Sequence, residues 1–180
     1  MDALVIIDMQ VGLLDGAPKH DLAHVIGRIN RLAARVRQRG GKVIWVQHCG
    51  PERTEFTPGQ PGWQFLPDLQ RVDGDLVVAK TLNDAFAASD LQASLQRLGV
   101  DRILIAGWAT DFCVDATLRS AVSRGYHVIA VSDAQTLADR PHLDAASVIL
   151  HHTWVWANLI TPASIRVATT EQLLAELHAA

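Results

Sequence analysis

The chain of 180 residues has two cysteines, and one stands in "LIAGWATDFCVDATLRSA" (Leu104–Ala121), just past an apolar run and a glycine. A thiol attacks as its thiolate, and an ordinary cysteine is only slightly ionised at neutral pH. The first turn of a helix favours ionisation, because free backbone N–H groups and the positive end of the dipole face it. The spacing predicts a helix from about Asp111, with Cys113 in that turn. Two other groups could serve the thiol. Lys80 closes the run "DLVVAK" and would stabilise a thiolate. Asp8 closes "ALVIID" and could take the thiol proton and return it to a leaving amine. Burial would raise the Asp8 pKa while a nearby Lys80 would lower it, so the three titrations are coupled. Taken singly, Cys113 reads as packing, Asp8 as a strand-end cap and Lys80 as a solvated strand end. Their meeting at one edge is what those separate readings do not predict.

The elements that would bring them together alternate regularly. Short β-branched runs, "ALVIID", "KVIWVQH", "DLVVAK", "RILIAG", "HVIAVSDA" and "IRVAT", read as strands, most of them buried on both faces. Between them, Leu22, Val25, Ile26, Ile29, Leu32, Ala33 and Val36 repeat at helical spacing and stop at Gly40-Gly41. Ser89-x-x-Gln92 reads as a capping box opening a helix that ends at Gly99. The helix from about Asp111 ends at Gly125, another starts near His142, and Thr169-x-x-Gln172 caps the last. This alternation implies right-handed crossovers and a mostly parallel sheet with helices on both faces. The expected fold is therefore a three-layer, Rossmann-like α/β fold with a six-stranded, mainly parallel sheet, as one domain over residues 1–180. Ligands of such sheets bind beyond the carboxyl ends of the strands, where Asp8, His48, Lys80 and the segment leading to Cys113 all fall. One long irregular segment, Cys49 to Gly74, carries four prolines together with Glu52, Arg53, Trp63 and Phe65. Its length suits a lid or binding loop.

Composition narrows the function. Hydrophobic residues make up 49% and charged residues 19%, so the chain can bury a core. A net charge of -3 gives no footprint for nucleic acid or an anionic membrane. "MDALVIIDMQ" has no basic start and is interrupted by Asp8, so it reads as a strand and not a signal peptide. No apolar run is long enough to span a bilayer. Two cysteines make no disulfide framework, which points to a reducing, cytoplasmic setting.

Four segments, "VIIDMQ", "VVAKTLNDAF", "GWATDFCVDATLRSA" and "GYHVIAVSDA", resemble the isochorismatase-like cysteine hydrolases, a family that includes nicotinamidases and N-carbamoylsarcosine amidohydrolase. The resemblance covers nearly the whole chain. It implies a catalytic triad of Asp8, Lys80 and Cys113, and an oxyanion hole from the backbone N–H groups of Ala109 and Cys113. It also implies a non-proline cis peptide at Trp108–Ala109. The activity implied is hydrolysis of a small amide, carbamoyl or ester substrate through a thioester, by a homodimer or larger homo-oligomer. Gln10, His48, Trp63, Phe86, Trp108 and Phe112 are candidate pocket residues, with Trp45 a further candidate for an aromatic wall.

The sequence departs from the metal-binding members. In "VQHCGPERTEF", His48 stands where their aspartate would be and Gly50 where their first histidine would be. Zinc needs three or four converging ligands. His20 and His24 lack a third partner, and His151 and His152 point about 100° apart on a helix. No metal and no cofactor are expected. Three other readings stay open: a vinyl-ether hydrolase of the isochorismatase type, a His48-based thiolate–imidazolium couple with Cys49 or Cys113, and a catalytically silent binding protein. The last would use Trp154 or Trp156 as interface aromatics.

Overall fold

The computed structural model describes residues 1–179. Strands β1 (Asp2–Ile7), β2 (Lys42–His48), β3 (Leu76–Lys80), β4 (Arg102–Trp108), β5 (His127–Thr136) and β6 (Ile165–Ala168) form one sheet. Every pairing is parallel and the order is β3-β2-β1-β4-β5-β6. The helices are α1 (Val11–Leu14), α2 (Leu22–Gln38), α3 (Leu91–Arg97), α4 (Asp115–Ser123), α5 (Ala145–Ala157) and α6 (Thr170–Ala179). None of the described helices is long and apolar enough to cross a membrane.

Alternation along β1 builds the two cores. Leu4 and Ile6 pack with Val25, Ile29 and Val36 of α2 and Leu173 of α6. Ala3, Val5 and Ile7 pack with Leu91 and Leu95 of α3, Leu118 of α4 and Trp156 of α5. These are the two covered faces of a strand whose successive side chains point oppositely. The central neighbours β1 and β4 are where the strand order reverses, so the switch point lies between Asp8 and the segment after Trp108. That close pairing requires glycine at position 107. Its φ is 121°, and a Cβ there would come within 2.2 Å of the Ile7 carbonyl oxygen.

Several boundaries differ from the expected ones. The segment Thr110–Val114 is a π-helical turn, and regular helix starts only at Asp115. Helix α3 starts at Leu91, with the Ser89 hydroxyl accepting the Leu91 N–H, so the Ser89–Gln92 reciprocal box does not form. Helix α5 starts at Ala145, capped by Asp144, which accepts the Ser147 N–H at 2.7 Å. The Thr169–Gln172 box does form: Thr169 N–H donates to Gln172 Oε1 at 2.8 Å, and Gln172 N–H to Thr169 Oγ1 at 3.3 Å. Trp156 is a core residue, whereas Trp154 is exposed.

Candidate active site

Each of the three reactive groups reaches the switch point by a different local device. Continued extension after Ile7 would turn Asp8 toward the α2 face, with Leu4 and Ile6. Instead Asp8 adopts a left-handed backbone with φ 51°, which ends the strand and redirects the side chain. Such a conformation is uncommon for a residue with a Cβ and is held only where its surroundings enforce it. Lys80 shares a face with Val78, two residues earlier on β3, and that face belongs to the α3–α4 layer. Its stem then crosses the end of β2. Cys113 lies in the π-helical turn, a local widening often found at functional positions. In that turn the Ala109 carbonyl accepts the N–H groups of Phe112 and Val114, both at 3.1 Å, and passes over Cys113.

The three groups meet. Lys80 Nζ lies 2.6 Å from Asp8 Oδ2 and 3.4 Å from Cys113 Sγ, and donates to the Leu82 carbonyl at 2.9 Å. Asp8 and Lys80 are almost completely buried. Asp8 and Cys113 meet at the shared Lys80 ammonium, and the charge of Asp8 bears on the thiol. No backbone amide or other well-aligned donor caps the Asp8 oxygens. Burial pushes the Asp8 carboxyl above the usual carboxylate range, against the pull of Lys80. Burial, and then the charge of Asp8, push the Cys113 thiol up to about 12, with Lys80 opposing. The helix-terminus argument of a readily ionised resting thiol thus gives way to desolvation. The resting sulfur is a thiol. Cys113 also touches Asn83 Oδ1 at 3.7 Å, a neighbour that the strand-end reading did not single out.

Ala109 is buried and follows a cis Trp108–Ala109 peptide, at the position expected. The candidate pocket residues divide. Phe112 is exposed beside Cys113, with the Arg140 guanidinium 5.2 Å from its ring, and Arg140 is fixed by two bonds to Asp111. Trp108 is half-buried under the Lys19 ammonium. His48 is half-buried against Phe56, its pKa lowered by burial and Lys80 against the pull of Asp8.

Gln10 instead is fully buried, and its amide is spent on backbone: it donates to the carbonyls of His48 (3.0 Å) and Trp63 (2.8 Å) and accepts the His48 N–H. Gln47 donates to the same Trp63 carbonyl at 2.9 Å. Together they pin the long loop to the sheet edge. The Trp63 indole N–H points to Cys49 Sγ at 3.2 Å, which gives that second thiol a packing role. Phe86 belongs to the core, stacked on Tyr126. Trp45 is likewise core, its N–H bonded to Asp75. Both aromatics looked like pocket walls because apolar type alone does not tell one face of a layer from the other.

Among the described residues no three His, Cys, Asp or Glu side chains gather as metal ligands. A cavity of about 580 Å³ opens at the opposite, N-terminal ends of the strands, among Val36, Leu104, Ile129 and Leu173, and shares none of these groups.

By class, then, this is a three-layer α/β protein whose ligand edge gathers an acid, an amine and a thiol. A family model for the isochorismatase domain matches residues 2–164, and the chain belongs to the isochorismatase family. Streptothricin hydrolase of Streptomyces noursei is 32% identical over 142 residues, 78% of this chain and 51% of that protein. This chain thus spans about half the length of that hydrolase. The ureidoacrylate amidohydrolase RutB of Methylorubrum extorquens is 28% identical over 81% of this chain and 73% of its own. Among solved structures, an isochorismatase from Pseudomonas putida KT2440 superposes with a TM-score of 0.86 at 29% identity, covering 95% of this chain and 89% of that one.

Proposed function

We propose that the protein is a cysteine hydrolase that cleaves a small amide, carbamoyl or ester substrate through a thioester on Cys113. The single observation that carries this reading is the Lys80 ammonium in contact with both Asp8 and Cys113. Streptothricin hydrolase among the relatives supports hydrolysis, and the ureidoacrylate amidohydrolase supports hydrolysis of an amide.

The mechanism follows from the protonation states. Cys113 starts as a thiol, so its proton must leave as the S–C bond forms. Asp8, facing the thiol and without a capping donor, is the acceptor. Lys80, held by the Leu82 carbonyl, stabilises negative charge as it shifts from Asp8 to sulfur. The backbone N–H groups of Ala109 and Cys113 would hold the carbonyl oxygen as it becomes an oxyanion. Removing one such donor typically costs about 2.7–4 kcal/mol. Collapse of the tetrahedral adduct breaks the C–N or C–O bond, and the leaving group takes the proton from Asp8. Asp8 then takes a proton from water as the water oxygen attacks the thioester carbon. The C–S bond breaks, the acid leaves, and Asp8 returns the proton to Cys113 Sγ to restore the thiol. Two free thiols suit the reducing, cytoplasmic setting.

The test is a screen of small amides, carbamoyl compounds, esters and isochorismate against the wild type and Cys113→Ala. Wild type should turn over a C–N or ester substrate and show an acyl mass adduct on the Cys113 peptide. The alanine variant should show neither. Undiminished hydrolysis by Cys113→Ala would overturn the thioester route; isochorismate cleavage surviving that change would favour acid catalysis at a vinyl ether.

A further inference from the structure

Between Lys80 and helix α4 runs a turn, 82–85, each part of which is tied to something. The Leu82 carbonyl holds Lys80 Nζ, and Asn83 Oδ1 faces Cys113 Sγ. The other two ties converge on one hydroxyl. Thr117 Oγ1 accepts the Ala85 N–H at 3.0 Å and donates to the Asn83 carbonyl at 3.5 Å. Thr117 is 1% exposed and lies on α4, four residues after Cys113, hence on the same helical face. A single buried hydroxyl therefore keys the turn that anchors the lysine to the helix that follows the sulfur.

We infer that Thr117 is a positioning residue, setting the distance between Lys80 and Cys113 through the 82–85 turn. This deepens the thioester reading and rests on Cys113 and Lys80 having the roles given there. Removing the hydroxyl leaves the buried Ala85 N–H without its acceptor, and the turn must move to find another. Lys80, its Leu82 anchor displaced, is drawn to Asp8 and away from the sulfur. A merely structural role would lower stability and leave the thiol unaffected.

The test uses alkylation of Cys113 by iodoacetamide, followed by peptide mass mapping across a pH series, so it needs no substrate. Thr117→Val should slow alkylation at pH 8 by about threefold or more, the effect of a half-unit change in thiolate pKa. Thr117→Ser, which keeps the hydroxyl, should return the rate to within about twofold of wild type. Thr170→Val is the control: it removes another fully buried hydroxyl, bonded to Asp133 at 2.8 Å and sharing no bond with Asp8, Lys80, Cys113 or the 82–85 turn. It should lower the melting temperature without altering the alkylation profile. If the valine variant does not fold, Thr117→Ala removes the same hydroxyl without adding bulk and carries the same expectation. A wild-type profile in the variant lacking the hydroxyl, or equal slowing in Thr170→Val, would overturn the assignment. Failure of turnover to depend on Cys113 would instead overturn the thioester reading and leave this measurement standing.

Discussion

The sulfur of Cys113 carries two opposing influences, and burial wins. The N-terminal position that drew attention to it should ease ionisation, yet the neighbouring carboxylate and the desolvated setting hold the thiol at about 12. A resting thiol avoids indiscriminate oxidation and alkylation, because those reactions need the thiolate. Its alkylation by iodoacetamide should accordingly climb with pH throughout the range from neutral to 10 without levelling, as read by mass mapping. A plateau near neutrality would mean a preformed thiolate and remove the need for Asp8 as base. The acid limb of kcat/KM follows the same logic with the opposite group. Asp8 must be ionised to accept the proton, and burial raises its pKa. Activity should therefore fall on acidification at a pH above the ordinary carboxylate range.

At the scale of elements, the site depends on β3, an edge strand whose entry is fixed by one carboxylate. Asp75 accepts two bonds from Arg37 of α2 (2.8 and 2.6 Å), one from the Trp45 indole on β2 (2.7 Å) and one from the Val72 N–H (3.2 Å). Burial pushes its pKa up, but these donors outweigh it and hold the group below the usual range. Its stabilisation is thus present above the unfolded-state pKa and lost as pH falls through the depressed folded value. Asp75→Asn should destabilise by about 1.5–3 kcal/mol near neutrality, since charged bonds are replaced by weaker ones. Urea unfolding would show this difference shrinking on acidification; a constant difference would mean the carboxylate charge is not what matters. None of this was legible in "DLVVAK", where Asp75 is only the first residue of a run that reads as a strand. What the sequence did reveal was whatever repeats: β-branched runs for all six strands, the helical stripe of α2, and hence which strand ends share an edge. Asp8, Lys80 and Cys113 were findable on that basis. Asn83, Thr117 and the Gln10–Gln47 clamp were not, because each depends on a pairing between segments far apart in sequence. The π-helical turn was hidden for another reason: periodicity over five residues does not separate it from an α-helical one.

For the molecule as a whole, the Asp8–Lys80 pair sets chemistry against stability. Two charges with almost no exposure are paired at 2.6 Å, yet the carboxylate oxygens lack the further donors that usually compensate such burial. Asp8, with its pKa raised by burial, binds its proton more tightly in the fold than in the unfolded chain. Its contribution to stability therefore declines as pH rises from the ordinary carboxylate range through the raised value. Breaking the pair on one side strands the other charge, so Lys80→Met should cost about 3–5 kcal/mol. Removing both charges, in Asp8→Asn/Lys80→Met, should cost markedly less than the two single changes added together, or even stabilise, because well-packed neutral groups commonly match or exceed a buried ion pair. The double variant should also lose the component of stability that declines with rising pH. Chemical unfolding of the wild type, both single variants and the double variant completes the cycle. Additive single-variant losses, with no coupling between positions 8 and 80, would mean that the fold does not bear the cost of its reactive pair and that the two groups act independently.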